Sequence, residues 1–508
     1  MSKKKYWKSF GEQQQSEAYK QLAQDEFREE LPFDDFDSKG LLDARAPRRD
    51  FLKYLGFSTA AAALAASCKQ PVKKAIPYAV KPENIIPGIS DYYATTYVNN
   101  GEVVPVLAKV RDGRPIKIEG NTLCSYTGGG TSARVQASVL DLYDTARLRF
   151  PVEKNNNDFA QVPTFEALDN KIAAEMTKAG GQVVVLTGTV NSETTKAAID
   201  AFVKAKAARH VQYDAISYSG LLLANEACFG RKSLPGYQFD KAKVIVSLGA
   251  DFLGTWVSPV EFAKQYAAGR RVSDQVKEMS KHYQFEPFLS MTGSNADERF
   301  THKPSQTGAV ALALLAAVGG GGAAAQFDKK LTDGIAKVGA DLKANAGKAL
   351  VVCGSNDVNV QIVVNAINNA INAYGSTINW DRANNSYQGD DVAMKTLVDD
   401  MNAGRIGTLL IHGVNPGYTY FDTKAFADGI KKVPCSISFA EKKDETASLC
   451  KYIIPDHHFL ESWGDASPST GYTSFIQPTI HPLFKTRNWQ TSLLKWSGTN
   501  TEYAEFFK

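Results

Sequence analysis

The chain has 508 residues, 44% hydrophobic and 22% charged, with a net charge of +4. That length holds about three globular units with proper cores, and the charge gives no reason to expect a nucleic-acid partner. Six cysteines (Cys68, Cys124, Cys228, Cys353, Cys435, Cys450) lie far apart without a C-x-x-C pair, which excludes a zinc ribbon or a ferredoxin-type cluster built locally. No G-x-G-x-x-G follows a strand pattern, and P-loop and G-x-S-x-G motifs are absent. A nicotinamide enzyme, a P-loop ATPase and an α/β-hydrolase are disfavoured accordingly.

Residues 1–68 read as an extended twin-arginine export signal ending in a lipobox. A polar extension, with KKKYWKSFGE at its start and LPFDDF near its end, precedes Arg48 and Arg49. The apolar run from Phe51 to Ala66 is rich in Ala, Gly, Ser and Thr, and it falls short of the roughly 20 strongly apolar residues a spanning helix needs. Paired arginines, a short mild apolar run and small residues together make an export signal. Ala65-Ala66-Ser67-Cys68 resembles a lipoprotein box, making Cys68 the candidate lipid anchor. Each buried acyl methylene would contribute about 0.8 kcal/mol, enough for a multiply acylated cysteine to hold the chain on a membrane.

Residues 69–91 carry four prolines and read as an extended linker. Residues 92–160 read as a small β-rich domain, with Asp112-Gly113 as the turn of a hairpin, and 140–149 as a short helix or turn leading out of it. From 161 to 508 the pattern is α/β. Thr164 and Glu166 start an amphipathic helix; an apolar strand then ends at Gly188 and a helix follows over 194–207. The strand–turn figure recurs at 242–256, 348–368, 407–416 and 433–447. Five such segments predict one or two doubly wound parallel sheets in two interleaved lobes, with ligands at the carboxyl ends of the strands. The apolar run within 308–327 predicts a buried helix and a loop. Beyond residue 452, Pro, Gly and aromatics without periodicity predict packed irregular structure.

Asp456, His457, His458 and Glu461 are the best local metal candidate, although neighbouring side chains point apart and the sequence favours a packing role. Asp251 and Asp297 stand near glycine turns. They could meet a sugar or base edge, but capping the following turn is the commoner use of such carboxylates.

Several of these segments together resemble one family. VRDGRPIKIEGN and QASVLDLYDTARLRFPV are similar to the N-terminal domain of molybdopterin oxidoreductases. VIVSLGADFLGTWVSP, TGSNADERF, LLIHGVNPGYTYFD, DETASLCKYIIPDHHFLESWGDASP and FIQPTIHPLF extend the likeness to about residue 490. With the extended signal, the match is to the molybdopterin-oxidoreductase-like subunit of alternative complex III. That bacterial membrane complex oxidises quinol and passes electrons to a cytochrome or terminal oxidase. The resemblance implies a molybdopterin-oxidoreductase-like fold: a small N-terminal β unit followed by doubly wound sheets. It also implies a lipid-anchored place on the periplasmic face of the inner membrane. The expected partners are an integral membrane quinol-binding subunit, cytochrome c subunits carrying haem c, and a ferredoxin-like iron–sulfur domain, C-terminal or on a separate chain.

Departures from catalytic relatives are equally specific. The cysteine quartet for a [4Fe–4S] cluster is missing; Cys124 stands alone, and a cubane needs four ligands. The turn that would approach a pterin dinucleotide carries Asp251, Phe252 and Trp256. Cys228 lies in the region of a molybdenum ligand without a close local match. The expectation is a fold kept without cofactor, metal or catalytic residues, serving as a scaffold. The alternative is a catalytic periplasmic molybdenum oxidoreductase acting on a small oxyanion, for which Cys228 or the turns near Asp251 and Asn415 would line an open funnel. A free-standing lipoprotein that binds a solute between its lobes is a third expectation.

Overall fold

The computed structural model describes residues 86, 88–99, 101–156, 158–321 and 326–508. Arg48, Arg49 and Cys68, and most of the linker, lie outside the described residues.

Three strands, Ser90–Asn99, Glu102–Arg111 and Arg114–Gly120, form an antiparallel sheet in chain order. Its second hairpin closes through Asp112 (φ 49°) and Gly113 (φ 73°), the left-handed pair that matches strand twist in a two-residue turn. The helix Ala133–Leu142, capped by Ser132 on the Val135 amide, lays Val135, Val139 and Leu142 on Tyr97, Val104, Val106 and Ile118.

The second unit is a seven-stranded sheet. Its order is Asp158–Gln161, Val152–Asn155, Tyr452–Ile453, Cys435–Ser438, Ile406–His412, Gln182–Thr187 and Arg209–Gln212. The last five are mutually parallel, and the first two are a hairpin on the edge. Residues 152–161, grouped by sequence with the small β unit, therefore belong to this sheet. Successive residues of Gln182–Thr187 point to opposite faces, as strand geometry requires. Val185 meets the helices Phe165–Ala179, Glu193–Lys206 and Trp489–Ser497, while Val184 and Leu186 meet Asp391–Asn402 and Thr423–Ile430. Burial on both faces explains why these strands read as continuous apolar runs.

Between residues 212 and 406 the chain builds a second lobe. Its parallel sheet has the order Glu298–Thr301, Lys281–Glu286, Val244–Leu248, Ala349–Cys353. Of the one or two doubly wound sheets expected from the repeated strand–turn figure, two are present, the strands of the second lying between residues 212 and 406 of the chain. The run within 308–327 forms the helix Thr307–Ala317, with Val310, Ala311 and Leu314 in the core. Among the described residues no helix is long and apolar enough to cross a membrane.

A fourth sheet has no counterpart in the sequence pattern. Tyr472–Ile476, Gly464–Ser469, Ile378–Asn384 and Leu234–Tyr237 pair antiparallel, joining both lobes. Part of the segment expected to be irregular is thus a hairpin. Its strand GDASPS is polar yet buried throughout, so neither alternation nor β propensity announces it.

Candidate functional site at two sheet switch points

In a parallel sheet whose crossovers run both ways from the centre, two adjacent strands send their following loops in opposite directions, and a crevice opens between the loops. The seven-stranded sheet reverses between Gln182–Thr187 and Ile406–His412; the four-stranded sheet reverses between Val244–Leu248 and Ala349–Cys353. Chemistry, if the fold hosts any, belongs at these two places.

At the first, a cleft of about 660 Å³ is open. Its floor is made by the loops Thr187–Asn191 and His412–Asn415, and its walls by residues 438–442, 456–459 and 462–465. Tyr97, Asn99, Ser138 and Asp141 of the N-terminal unit line it from another side. Five carboxylates (Asp141, Glu441, Asp444, Asp456 and Asp465) face one lysine, Lys442. That lysine is already shared by Asp141 at 3.0 Å and Asp144 at 2.6 Å.

The best-organised side chain here is His412, the last residue of its strand. Its Nε2 lies 2.9 Å from Asp456 Oδ2, and its ring stacks on Trp489 at 4.2 Å between centroids. The other Asp456 oxygen accepts from the His457 amide (2.8 Å) and the Trp489 amide (3.1 Å). A histidine held by a carboxylate that is itself held by two amides is the arrangement that orients a base. Glu441 reaches Arg147 Nε at 3.1 Å. Although the Glu441 side chain is 31% exposed, its carboxyl is turned onto an arginine only 1% exposed. Desolvation pushes that carboxyl up to about 7, against the pull of Arg147.

In the loop that precedes the first-lobe helix Glu193–Lys206, the Thr189 and Val190 amides are taken by side chains. Thr189 N and Oγ1 donate to Asp214. Val190 N donates to Gln212 Oε1. The helix start is met by Asp465: Ser192 Oγ donates to it at 2.6 Å, Glu193 N at 3.0 Å and Thr194 N at 3.5 Å.

The second switch point is closed. Gly354 stands so near the Gly249 carbonyl that an added Cβ would lie 2.3 Å from it. Phe252 is fully buried, stacked on Phe239 at 4.4 Å, and Trp256 packs against Phe262. Asp251 reaches the short helix Met291–Ser294, its Oδ1 accepting from Thr292 N (3.0 Å) and Oγ1 (2.8 Å). Asp297 takes a two-pronged contact from Arg270 at 2.7 and 2.8 Å and the His282 amide. Both aspartates are thus held by residues distant in sequence, and neither side chain bonds the turn that follows it.

The remaining candidates disperse. His457 Nδ1 meets Thr486 Oγ1 at 2.6 Å, while His458 Nδ1 accepts the Leu460 amide. Glu461 receives both arms of Arg147, at 3.2 and 2.7 Å. With Asp456 committed to His412, the four side chains serve four different partners. No group of three or more His, Cys, Asp or Glu among the described residues is placed to hold a metal ion. Asn415 does line the cleft, but its amide is fixed to Glu445 and Thr446. Cys228 is exposed on the last turn of Ser219–Phe229 and is not among the cleft residues. Cys124 is buried with its Sγ 3.1 Å from Tyr472 Oη. Sequence reasoning missed His412, Asp214 and Asp465. Only His412 left a signal, as a histidine ending a parallel strand just before a glycine turn.

No protein-family model matches the chain. Among curated proteins it is similar to the menaquinone reductase, molybdopterin-binding-like subunit of Nitratidesulfovibrio vulgaris. The two are 24% identical over 89% of this chain and 72% of that protein. Among solved structures it is similar to acetylene hydratase from Pelobacter acetylenicus. The TM-score is 0.62 at 11% identity, over 81% of this chain and 70% of the other. The fold is molybdopterin-oxidoreductase-like.

A fold of this kind implies a pterin dinucleotide, and the residues present do not fit one. Dinucleotide phosphates bind where free backbone N–H groups and a helix N-terminus converge. In the first lobe Asp214, Gln212 and Asp465 already take the amides of Thr189, Val190, Glu193 and Thr194, and the surrounding carboxylates would repel phosphate. In the second lobe Phe252 fills the place beside the turn.

Proposed function

We propose that the chain is a molybdopterin-oxidoreductase-like subunit of a membrane-bound, quinone-linked respiratory complex of the alternative complex III type, and that it is a cofactor-free frame. The likeness to a menaquinone reductase subunit over most of both chains supports the quinone link. The observation that carries the frame is the pair of switch points, one filled by Phe252 and the other with its phosphate donors taken by Asp214 and Asp465.

In this reading the chain positions a ferredoxin-like iron–sulfur domain between a quinol-binding membrane subunit and cytochrome c subunits or a terminal oxidase. The redox steps belong to those partners. Arg48 and Arg49 direct export, and a lipidated Cys68 holds the frame on the periplasmic face of the inner membrane. Molybdenum, tungsten and iron per polypeptide, measured on the native complex and on this chain alone, test the frame. The expected result is none of the three in the chain alone and iron in the complex. Near-stoichiometric molybdenum or tungsten in the chain alone would overturn it in favour of the catalytic oxidoreductase. The mass of the peptide that contains Cys68, taken from membranes, tests the anchor.

A further inference from the structure

We infer that Asp465 is an internal occupant of an anion cradle at the helix start, and that its carboxylate holds the place a phosphate would take there. The inference rests on the cofactor-free reading above and gives it a residue. Glu193–Lys206 is a helix of 14 residues that starts at the switch point, with its N-terminal amides toward the cleft. A helix N-terminus concentrates positive potential and unpaired donors, and a carboxylate or a phosphate satisfies both.

Here the anion comes from the same chain, 272 residues away in sequence. Asp465 is 6% exposed and uses both oxygens, Oδ1 for Ser192 Oγ and Oδ2 for Glu193 N and Thr194 N. Its strand is locked to the same loop a second time, because Ser467 N donates to the Asn191 carbonyl at 2.8 Å. Asn191 also lines the cleft; it is 3% exposed, and neither polar atom of its amide has a partner. A buried amide left unpaired is costly and uncommon. It marks this loop as one whose polar groups are arranged for more than the chain now supplies.

The alternative is that Asp465 is an ordinary cap, with no latent site beneath it. Removing the carboxylate separates the two. A cap leaves a frayed helix start, whereas an occupied cradle becomes a site for phosphate.

The test uses the full chain with inorganic pyrophosphate as probe, read by thermal melting and by hydrogen exchange of residues 188–195. Wild type is expected to show no pyrophosphate-dependent protection there. Asp465→Gly and Asp465→Ser are expected to gain it, with pyrophosphate affinity at least tenfold above wild type. Asp465→Asn, which refills the space, should behave as wild type. Folded Gly and Ser variants that respond as wild type does would overturn the inference, as would a melting shift without protection at 188–195, which reads as an adventitious anion. Pyrophosphate protection of 188–195 in wild type would overturn it even if neither variant folds. Nucleotide released on denaturing the wild-type chain is a separate outcome that strikes the cofactor-free reading itself.

Discussion

The two parallel lobes meet the same geometric problem and solve it in opposite ways. Each sheet reverses its crossovers and so creates a crevice. The four-stranded lobe fills its crevice with side chains, whereas the seven-stranded lobe leaves a cleft of about 660 Å³ and satisfies the donors around it with carboxylates. The first solution is apolar and close-packed; the second is polar and hydrogen-bonded. A switch point can thus be closed to a dinucleotide without being closed to solvent.

The largest expected effect probes the filled side. Phe252 is fully buried among Phe239, Tyr266 and His282. Phe252→Ala should destabilise by about 4 kcal/mol, from lost transfer energy plus the cavity left behind. Urea unfolding checks this, and a loss below about 1 kcal/mol would show that the second lobe is not sealed by packing.

Acid should strike the same lobe next. His282 is fully buried, and desolvation lowers it to about 4. The unfolded chain, with a histidine near 6.5, then binds a proton that the folded chain refuses. This contribution is present above about pH 6.5 and is lost as pH falls toward 4, roughly 3 kcal/mol in full. His282→Gln should flatten that limb of stability against pH; an unchanged limb would assign it elsewhere, with buried His458, also lowered to about 4 by desolvation, the first alternative.

On the polar side the effects are smaller. Asp214 binds Thr189 with one oxygen, and Thr189, Gln388 and Gly389 with the other. Asp214→Asn turns one acceptor into a donor facing these donors and should cost about 2 kcal/mol. Faster exchange of the Thr189 or Gly389 amide would locate the break. His412→Ala should cost less than about 1 kcal/mol, because the ring is partly exposed toward the cleft and its loss leaves space already open to water. A loss of 2 kcal/mol or more would make His412 a packing residue instead of an oriented base.

How far this was legible in sequence depends on distance along the chain. The strand–turn–helix segments announced both parallel sheets because each is local, and Asp112-Gly113 announced its hairpin for the same reason. The antiparallel sheet was hidden because it pairs Ile378–Asn384 with strands beginning at Leu234 and Gly464. At the site, Asp251 and Asn415 were visible beside glycine turns, and both proved to be structural. Asp465 was invisible: nothing around GDASPS tells of a helix start 272 residues earlier. Asp214 was hidden likewise, since half of what it binds comes from residues 388 and 389.

The switch-point pairing of the seven-stranded sheet, Gln182–Thr187 beside Ile406–His412, also sets an order of events. At about 5–20 residues per second, the ribosome needs roughly 10–45 s to travel from one strand to the other. The inserted lobe is made whole within that interval and can fold first. The earlier strands must wait for it: Val184, Val185 and Leu186 have Arg209–Gln212 on one side and present on the other an open edge that other chains could join. The two lobes thus assemble from the middle of the chain outward, and a delay there exposes the strands of the cleft to aggregation.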